Sequence, residues 1–332
     1  VSRLALARSI GLCAALLGAC KGGGGAGDGG APYPRDWSAH PAVARLSGAK
    51  DIVALGDVHG DPDVTLRLLA AAGLVTKTAP TAWSGGATIL VVTGDVIDKG
   101  DSALPVIELL RALEPEARAA GGRVVVTLGN HEAEFLAAPT DDKTSVFQAE
   151  LRAAGLDPIA VAAGQGPVGA WLHELPVAAL VDDWFFCHSG DSEGRTSASI
   201  AKKFTNAVDG PAGYGDDFVV GMGSILEANA WWEQPSGAVA TLDAYLAALP
   251  AKHIVFGHDP GELTFPDDPK GTRARGELAA RYAGRLFLID VGASYAVGAS
   301  AGAVLHVSRG ATSAADTADA IFVDGTTAPL WP

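Results

Sequence analysis

The stretch Asp51-Ile-Val-Ala-Leu-Gly-Asp-Val-His-Gly60 decides how this chain is read. Its first half is mostly apolar and includes β-branched Ile52 and Val53, as a buried strand requires. At Gly56 it breaks off into Asp57 and His59, side chains that bind metal or phosphate. The pattern recurs along the chain. Thr88-Ile-Leu-Val-Val92 runs into Thr93-Gly-Asp-Val-Ile-Asp-Lys-Gly100, and Arg123-Val-Val-Val-Thr127 into Leu128-Gly-Asn-His-Glu132. Trp184-Phe-Phe186 runs into Cys187-His-Ser-Gly190, and His253-Ile-Val-Phe256 into Gly257-His-Asp-Pro260. Arg285-Leu-Phe-Leu-Ile289 runs into Asp290-Val-Gly-Ala-Ser294.

Helical stretches alternate with these strands. Asp61-Pro-Asp63 opens a helix over Val64 to Ala72, with proline early and acids in the first turn. Ser102 to Ala112 and Thr241 to Leu249 carry apolar residues at helical spacing. The alternation predicts an α/β core whose ligands collect beyond the C-terminal ends of strands. Every polar cluster lies in that place. One catalytic domain is expected over 49–310, with a helical insertion over about 133–175, where strong strands are missing. Residues 311–332 are expected to form a tail with one short strand at Ala320-Ile-Phe-Val323.

The chain has 332 residues, 48% hydrophobic and 19% charged, enough for one large domain with a full core. A formal charge of −14 argues against a nucleic-acid partner, which needs a basic face. The first residues read as a targeting segment. Arg3 and Arg8 are basic, Ile10 to Leu17 is too short to span a bilayer, and Leu17-Gly-Ala-Cys20 ends in a small-small-cysteine pattern. That ending resembles the lipobox of bacterial lipoproteins; the alternative is an ordinary signal peptide cut near Ala19. Residues 1–19 are thus expected to be removed, Cys20 acylated, and 20–48 to serve as a glycine-rich tether. The expected location is the cell envelope or periplasm, with the membrane engaged through that lipid alone. Cys187 then has no disulfide partner and reads as buried and inert.

Aspartate and histidine suit divalent cations, and a carboxylate between two ions can bridge them. Asp57, His59, Asp95, Asn130, His188 and His258 together supply donors for two adjacent ions. Two ions about 3.5–4 Å apart clamp a phosphate for in-line displacement. Gly56, Gly94, Gly129 and Gly257 each precede a candidate ligand, where the chain must turn tightly.

In this order the motifs make the chain similar to the calcineurin-like metallophosphoesterase superfamily. Within its phosphoprotein phosphatase branch, the chain resembles the bacterial Shewanella-like protein phosphatases. Leu172-His-Glu-Leu-Pro-Val177, Trp231-Trp232 and Ile289-Asp-Val-Gly-Ala-Ser294 carry the narrower match, over roughly residues 50–309. The resemblance implies two packed β-sheets flanked by helices, with the site at the strand ends. It implies one metal on Asp57, His59 and Asp95, and a second on Asp95, Asn130, His188 and His258. It also implies that His131, oriented by Asp98, protonates the leaving oxygen, while a hydroxide shared by the metals attacks without a covalent phosphoenzyme. Manganese is expected, and iron or zinc suits the same mixed donors.

Three positions depart from the family pattern. Lys99 stands where an arginine usually grips phosphate, keeping the charge but losing the bidentate fork. Glu233 follows Trp231-Trp232 where a second arginine is usual, and Ser189 replaces a glycine. Arg195 is the candidate replacement cation. The remaining polar residues have ordinary readings. His40, His173, His253 and His306 read as surface or structural, Asp61 as a helix cap and Asp259 as a turn residue. Glu132 reads as a loop brace, and Asp141-Asp142 as a solvated loop.

The function expected is two-metal hydrolysis of phosphomonoesters, on a phosphorylated small molecule or a phosphoprotein. A phosphodiesterase or dinucleoside-polyphosphate hydrolase is the alternative that the changes at Lys99 and Glu233 favour. A metal-binding module without turnover is the third reading, opposed by the intact Asp98–His131 pair.

Overall fold

A computed structural model of the chain describes residues 33–76, 78–190, 193–228, 237–312 and 315–332. The expected signal segment, Cys20, most of the tether's glycines and Trp231-Trp232-Glu233 lie outside the described residues.

Two six-stranded sheets form the core. The first runs β4 (Arg123–Val126), β3 (Ile89–Val92), β2 (Asp51–Leu55), β12 (Ala303–Ser308), β13 (Thr317–Phe322), β14 (Thr327–Trp331). Its β2, β3 and β4 are parallel, and β12 to β14 add antiparallel. The second runs β1 (Val43–Leu46), β5 (Ala178–Val181), β6 (Trp184–Cys187), β7 (His253–Phe256), β11 (Leu286–Leu288), β10 (Ala279–Arg281). There β6, β7 and β11 are parallel. A small hairpin, β8 (Leu263–Thr264) and β9 (Thr272–Arg273), stands apart. All six apolar runs read from the sequence are strands.

Side-chain alternation along each strand builds two cores. Ile52 and Ala54 of β2 face Trp184 and Phe186 of β6 in the layer between the sheets. Val53, Leu55, Leu90 and Val92 belong to the second core, with Leu68, Leu69, Ile107 and Leu110 from the covering helices. Those helices are α1 (Pro62–Ala71) and α2 (Ala103–Ala119). Asp61 caps α1 through the amide of Val64 at 3.0 Å. Past the expected Ala112, α2 continues to Ala119, because Leu113 and Ala117 keep its buried stripe going despite Pro115. The 133–175 segment is helical as expected. It holds the rest of α3 (Asn130–Ala137), then α4 (Ser145–Ala153), α5 (Pro158–Ala162) and α6 (Gly166–Glu174). Two further α-helices among the described residues are α7 (Ser197–Val208) and α8 (Ala238–Ala248).

Both expected domain edges move outward. The folded chain begins before residue 49, since β1 pairs in parallel with β5. Arg35 is buried and donates to the carbonyls of His173 at 2.7 Å and Leu175 at 2.9 Å. Arg45 interrupts β1, so Val43-Ala-Arg-Leu46 gives no apolar run. At the other end, 317–331 is a hairpin of two strands completing the first sheet, where a tail with one strand was expected. Its inward residues are the small Ala318 and Ala320, which carry a weak hydropathy signal. No helix among the described residues is long and apolar enough to cross a membrane.

Candidate metal centre

The C-terminal ends of β2, β3, β4, β6 and β7 converge. They deliver Asp57 and His59, then Asp95 and Asp98, then Asn130 and His131 at the start of α3, then His188, then His258. Of the four glycines read as turn residues, Gly94 alone has positive φ, at 90°. Gly129 and Gly257 serve close approach instead. A Cβ on Gly129 would lie 2.2 Å from Asp95 Oδ1, and one on Gly257 2.4 Å from Asp57 Oδ1. The left-handed conformations fall on the functional residues themselves: φ is 40° at His59, 50° at Asp95, 64° at Asp98, 58° at Lys99 and 71° at His258. Such backbone costs on the order of 1–3 kcal/mol per residue and persists where the surroundings over-determine it.

Asp95 is the hub. Its Oδ2 lies 3.6 Å from His59 Nε2 and 3.9 Å from His131 Nε2, while Oδ1 lies 3.4 Å from His188 Nε2. Donor atoms close enough to share an ion fall into two groups, His59–Asp95–His131 and Asp57–Asp95–His188. Asp95 belongs to both. Asp57 falls in the second of these groups, and both its oxygens accept from the amide of His258. Asn130 Oδ1 joins the second group, 3.0 Å from His188 Nε2 and 3.1 Å from His258 Nδ1.

The rings are aimed by their far nitrogens. His188 Nδ1 donates to Thr93 O at 2.7 Å, and His59 Nδ1 to Ile97 O at 3.3 Å, so each turns Nε2 toward Asp95. His131 Nδ1 lies 3.1 Å from Asp98 Oδ2, and Asp98 Oδ1 accepts from the amide of Phe147 in α4 at 3.3 Å. The insertion thereby backs the Asp98–His131 pair. Glu132 braces the loop as expected: its carboxylate accepts from the amides of Asp95, Val96, Ile97 and Gly129 at 2.8 to 3.0 Å.

Burial pushes His59 and His258 down to about 3, leaving neutral rings with lone pairs to give. Burial also lowers His188, but Asp95 and then Asp57 outweigh it and raise the ring to about 10. Burial raises the Asp57 carboxyl, and Asp290 adds to the rise. Asp95 is raised by burial but held low by the His188 and His131 imidazoles. Asp290, pushed up to about 6 by burial, is a further carboxylate near the cluster to which the sequence reading gave no role. A dry pocket with this much negative potential, the neutral His59 and His258 rings and an amide oxygen suits divalent cations. On this donor set, the residues fit the two metals implied by the resemblance.

Lys99 reaches the cluster, with Nζ 2.9 Å from His59 Nε2. Arg195 pairs with Glu193 and lies over the Phe218 ring at 5.3 Å. The structural readings of other residues hold. His253 stacks on Trp184 at 4.1 Å, His173 bonds Ala162 O at 2.7 Å, and His306 meets Asp51 at 3.2 Å. Asp259 accepts from Gly261 N at 2.6 Å, a turn contact, and Cys187 is buried. Arg273, fully buried behind the His258 loop, went unread. Nothing in Gly271-Thr-Arg-Ala-Arg275 sets it apart from a surface arginine.

The family model for calcineurin-like phosphoesterases matches residues 50–262. The chain is 36% identical over 101 residues to Shewanella-like protein phosphatase 2 of Arabidopsis thaliana, covering 30% of this chain and 25% of that protein. It is 35% identical over 81 residues to Shewanella-like protein phosphatase 1 of Plasmodium berghei, covering 24% and 22%. These alignments span about a quarter of each relative. Among solved structures, a cold-active protein-tyrosine phosphatase of a psychrophilic Shewanella matches with a TM-score of 0.67 at 22% identity, over 86% of this chain and 82% of that one. A Saccharomyces cerevisiae serine/threonine phosphatase with similarity to human PP5 gives 0.55 at 18% identity, over 82% and 79%. These two likenesses show a shared fold.

Proposed function

Because this chain belongs to the calcineurin-like phosphoesterase family, we propose that it hydrolyses phosphomonoesters, phosphoproteins among them, with two divalent cations held around Asp95. The observation carrying this reading is the place of Asp95 in both donor groups, with the Asp98–His131 pair beside it. Asp57, Asp95, Asn130, His188 and His258 would hold one cation, and His59 with the shared Asp95 the other. The cations, manganese foremost, supply Lewis-acid clamping of phosphoryl oxygens and activation of water.

The protein's own groups do the rest. His131 bonds Asp98 through Nδ1, which leaves Nε2–H free to protonate a leaving oxygen. Burial lowers this imidazole, but Asp95 and the Asp98 bond outweigh it and raise it overall, keeping the proton available near neutrality. Lys99 stands at the cluster as a point charge for phosphate. Glu132 fixes the Asp95 loop so that the donors need not reorganise. The similarity to Shewanella-like protein phosphatases supports a phosphoprotein substrate. The N-terminal pattern ending at Cys20 supports an exported, lipid-anchored enzyme; loss of radiolabelled palmitate incorporation in Cys20→Ala tests that part.

The deciding experiment is phosphate release from aryl monoesters, aryl diesters and phosphopeptides after reloading with manganese. Monoester turnover above diester turnover supports the proposal. Preference for diesters replaces it with the phosphodiesterase reading, and no turnover with any substrate leaves a metal-binding module.

A further inference from the structure

Arg273, the second residue of β9, is fully buried. A guanidinium out of water requires acceptors, and this one uses three backbone carbonyls. Nε donates to Glu277 O at 2.8 Å, Nη1 to Asp259 O at 2.5 Å, and Nη2 to Asp290 O. Two of those carbonyls belong to loops at the metal centre. Asp259 directly follows His258. Asp290 follows Ile289, whose carbonyl oxygen would lie 2.5 Å from a Cβ placed on Gly56, the residue before Asp57. One planar fork therefore ties the end of β7 to the end of β11, which is itself pressed against the end of β2.

His258 sits at φ 71°, a conformation that a non-glycine residue keeps only under restraint. On one side its amide is held by the Asp57 carboxylate, at 3.0 and 3.2 Å. On the other, the carbonyl of the next residue is held by Arg273. We infer that Arg273 is a positioning residue that locks His258 in its left-handed conformation and thereby sets the affinity of the cation position His258 serves. This rests on the two-cation reading. Arg273 lies beyond the 50–262 stretch that the family model covers, so the lock comes from this chain's own C-terminal part.

The test is calorimetric titration of the full chain with Mn²⁺. Arg273→Met is expected to weaken one of two Mn²⁺ positions by about 10–100-fold and leave the other unchanged, the usual scale for a group that orients a ligand. Arg273→Lys should recover part of that loss, since an ammonium can serve one of the two loop carbonyls. Arg281→Met is the control. Arg281 donates to Thr272 O at 2.9 Å in the same hairpin, and its described bonds include neither Asp259 nor Asp290. If Arg281→Met weakens Mn²⁺ as much as Arg273→Met, hairpin stability sets the affinity and the inference is overturned. Equal Mn²⁺ binding by wild type and Arg273→Met overturns it too. Should Arg273→Met not fold, unchanged affinity in Arg273→Lys overturns it and a weakened single position supports it. A wild type that binds no Mn²⁺ ends the two-cation reading and this inference with it.

Discussion

The backbone amide of His258 donates to both carboxylate oxygens of Asp57, at 3.2 and 3.0 Å, across 201 positions of sequence. The bond joins the end of β2 in one sheet to the end of β7 in the other. The centre is therefore a seam between sheets, and each expected effect below follows from a group at that seam or behind it.

Asp95 reaches both donor groups, so Asp95→Asn should reduce occupancy at both metal positions. Elemental analysis of the purified variant checks this, and normal metal content would contradict a bridging role.

His131→Asn should retain metal and lose turnover by roughly 10²–10⁴. The required form is the imidazolium, whose pKa lies above the ordinary 6.5. Activity should fall as pH rises through that raised value, and the variant should lack this limb. A pH–rate profile identical to wild type removes His131 from proton transfer.

Lys99→Met should weaken inhibition by inorganic phosphate about tenfold, the scale of one hydrogen bond to a charged group. Lys99→Arg should restore or exceed wild-type affinity through a bidentate grip. Phosphate inhibition constants for the three proteins decide it; equal values mean that Lys99 holds no substrate oxygen.

Phe186 is completely buried in the layer between the sheets. Phe186→Ala should cost about 3–5 kcal/mol in urea unfolding, through lost burial and the cavity left behind. A loss under about 1 kcal/mol would mean that the sheets close over the gap.

His253 stacks on Trp184 and bonds Gly284 O at 2.7 Å; burial holds its pKa below 6.5, and burial does the same to His173. The unfolded chain protonates first as pH falls. The stability these rings confer is complete above about 6.5 and is lost as pH drops toward their folded values. His253→Phe should flatten the slope of Tm against pH below about 6.5. An unchanged slope clears His253 of the effect.

The strands were legible because Ile52, Val91, Phe186 and Val255 make short apolar runs that end in glycine and polar ligands. The donors were legible for the same reason: each follows its strand directly. What stayed hidden depends on contacts distant in sequence. Strand β1 carries an arginine and shows no apolar run, while β13 buries only alanines, so only its end was read, as a short strand at 320–323. Arg35 and Arg273 went unread, because both are buried by carbonyls that only the folded chain brings to them. The contact of both Asp57 oxygens with the amide of His258 likewise spans 201 positions of sequence.

Asp57 and Asp95 hang from one sheet, and His188 and His258 from the other. During synthesis the first sheet's ligands emerge early, but the chain must reach residue 258 before the last imidazole exists. The donor set on which the proposed hydrolysis depends is therefore incomplete until the two halves have met. On the proposed function, a lesion that parts the halves would abolish turnover without touching a donor atom.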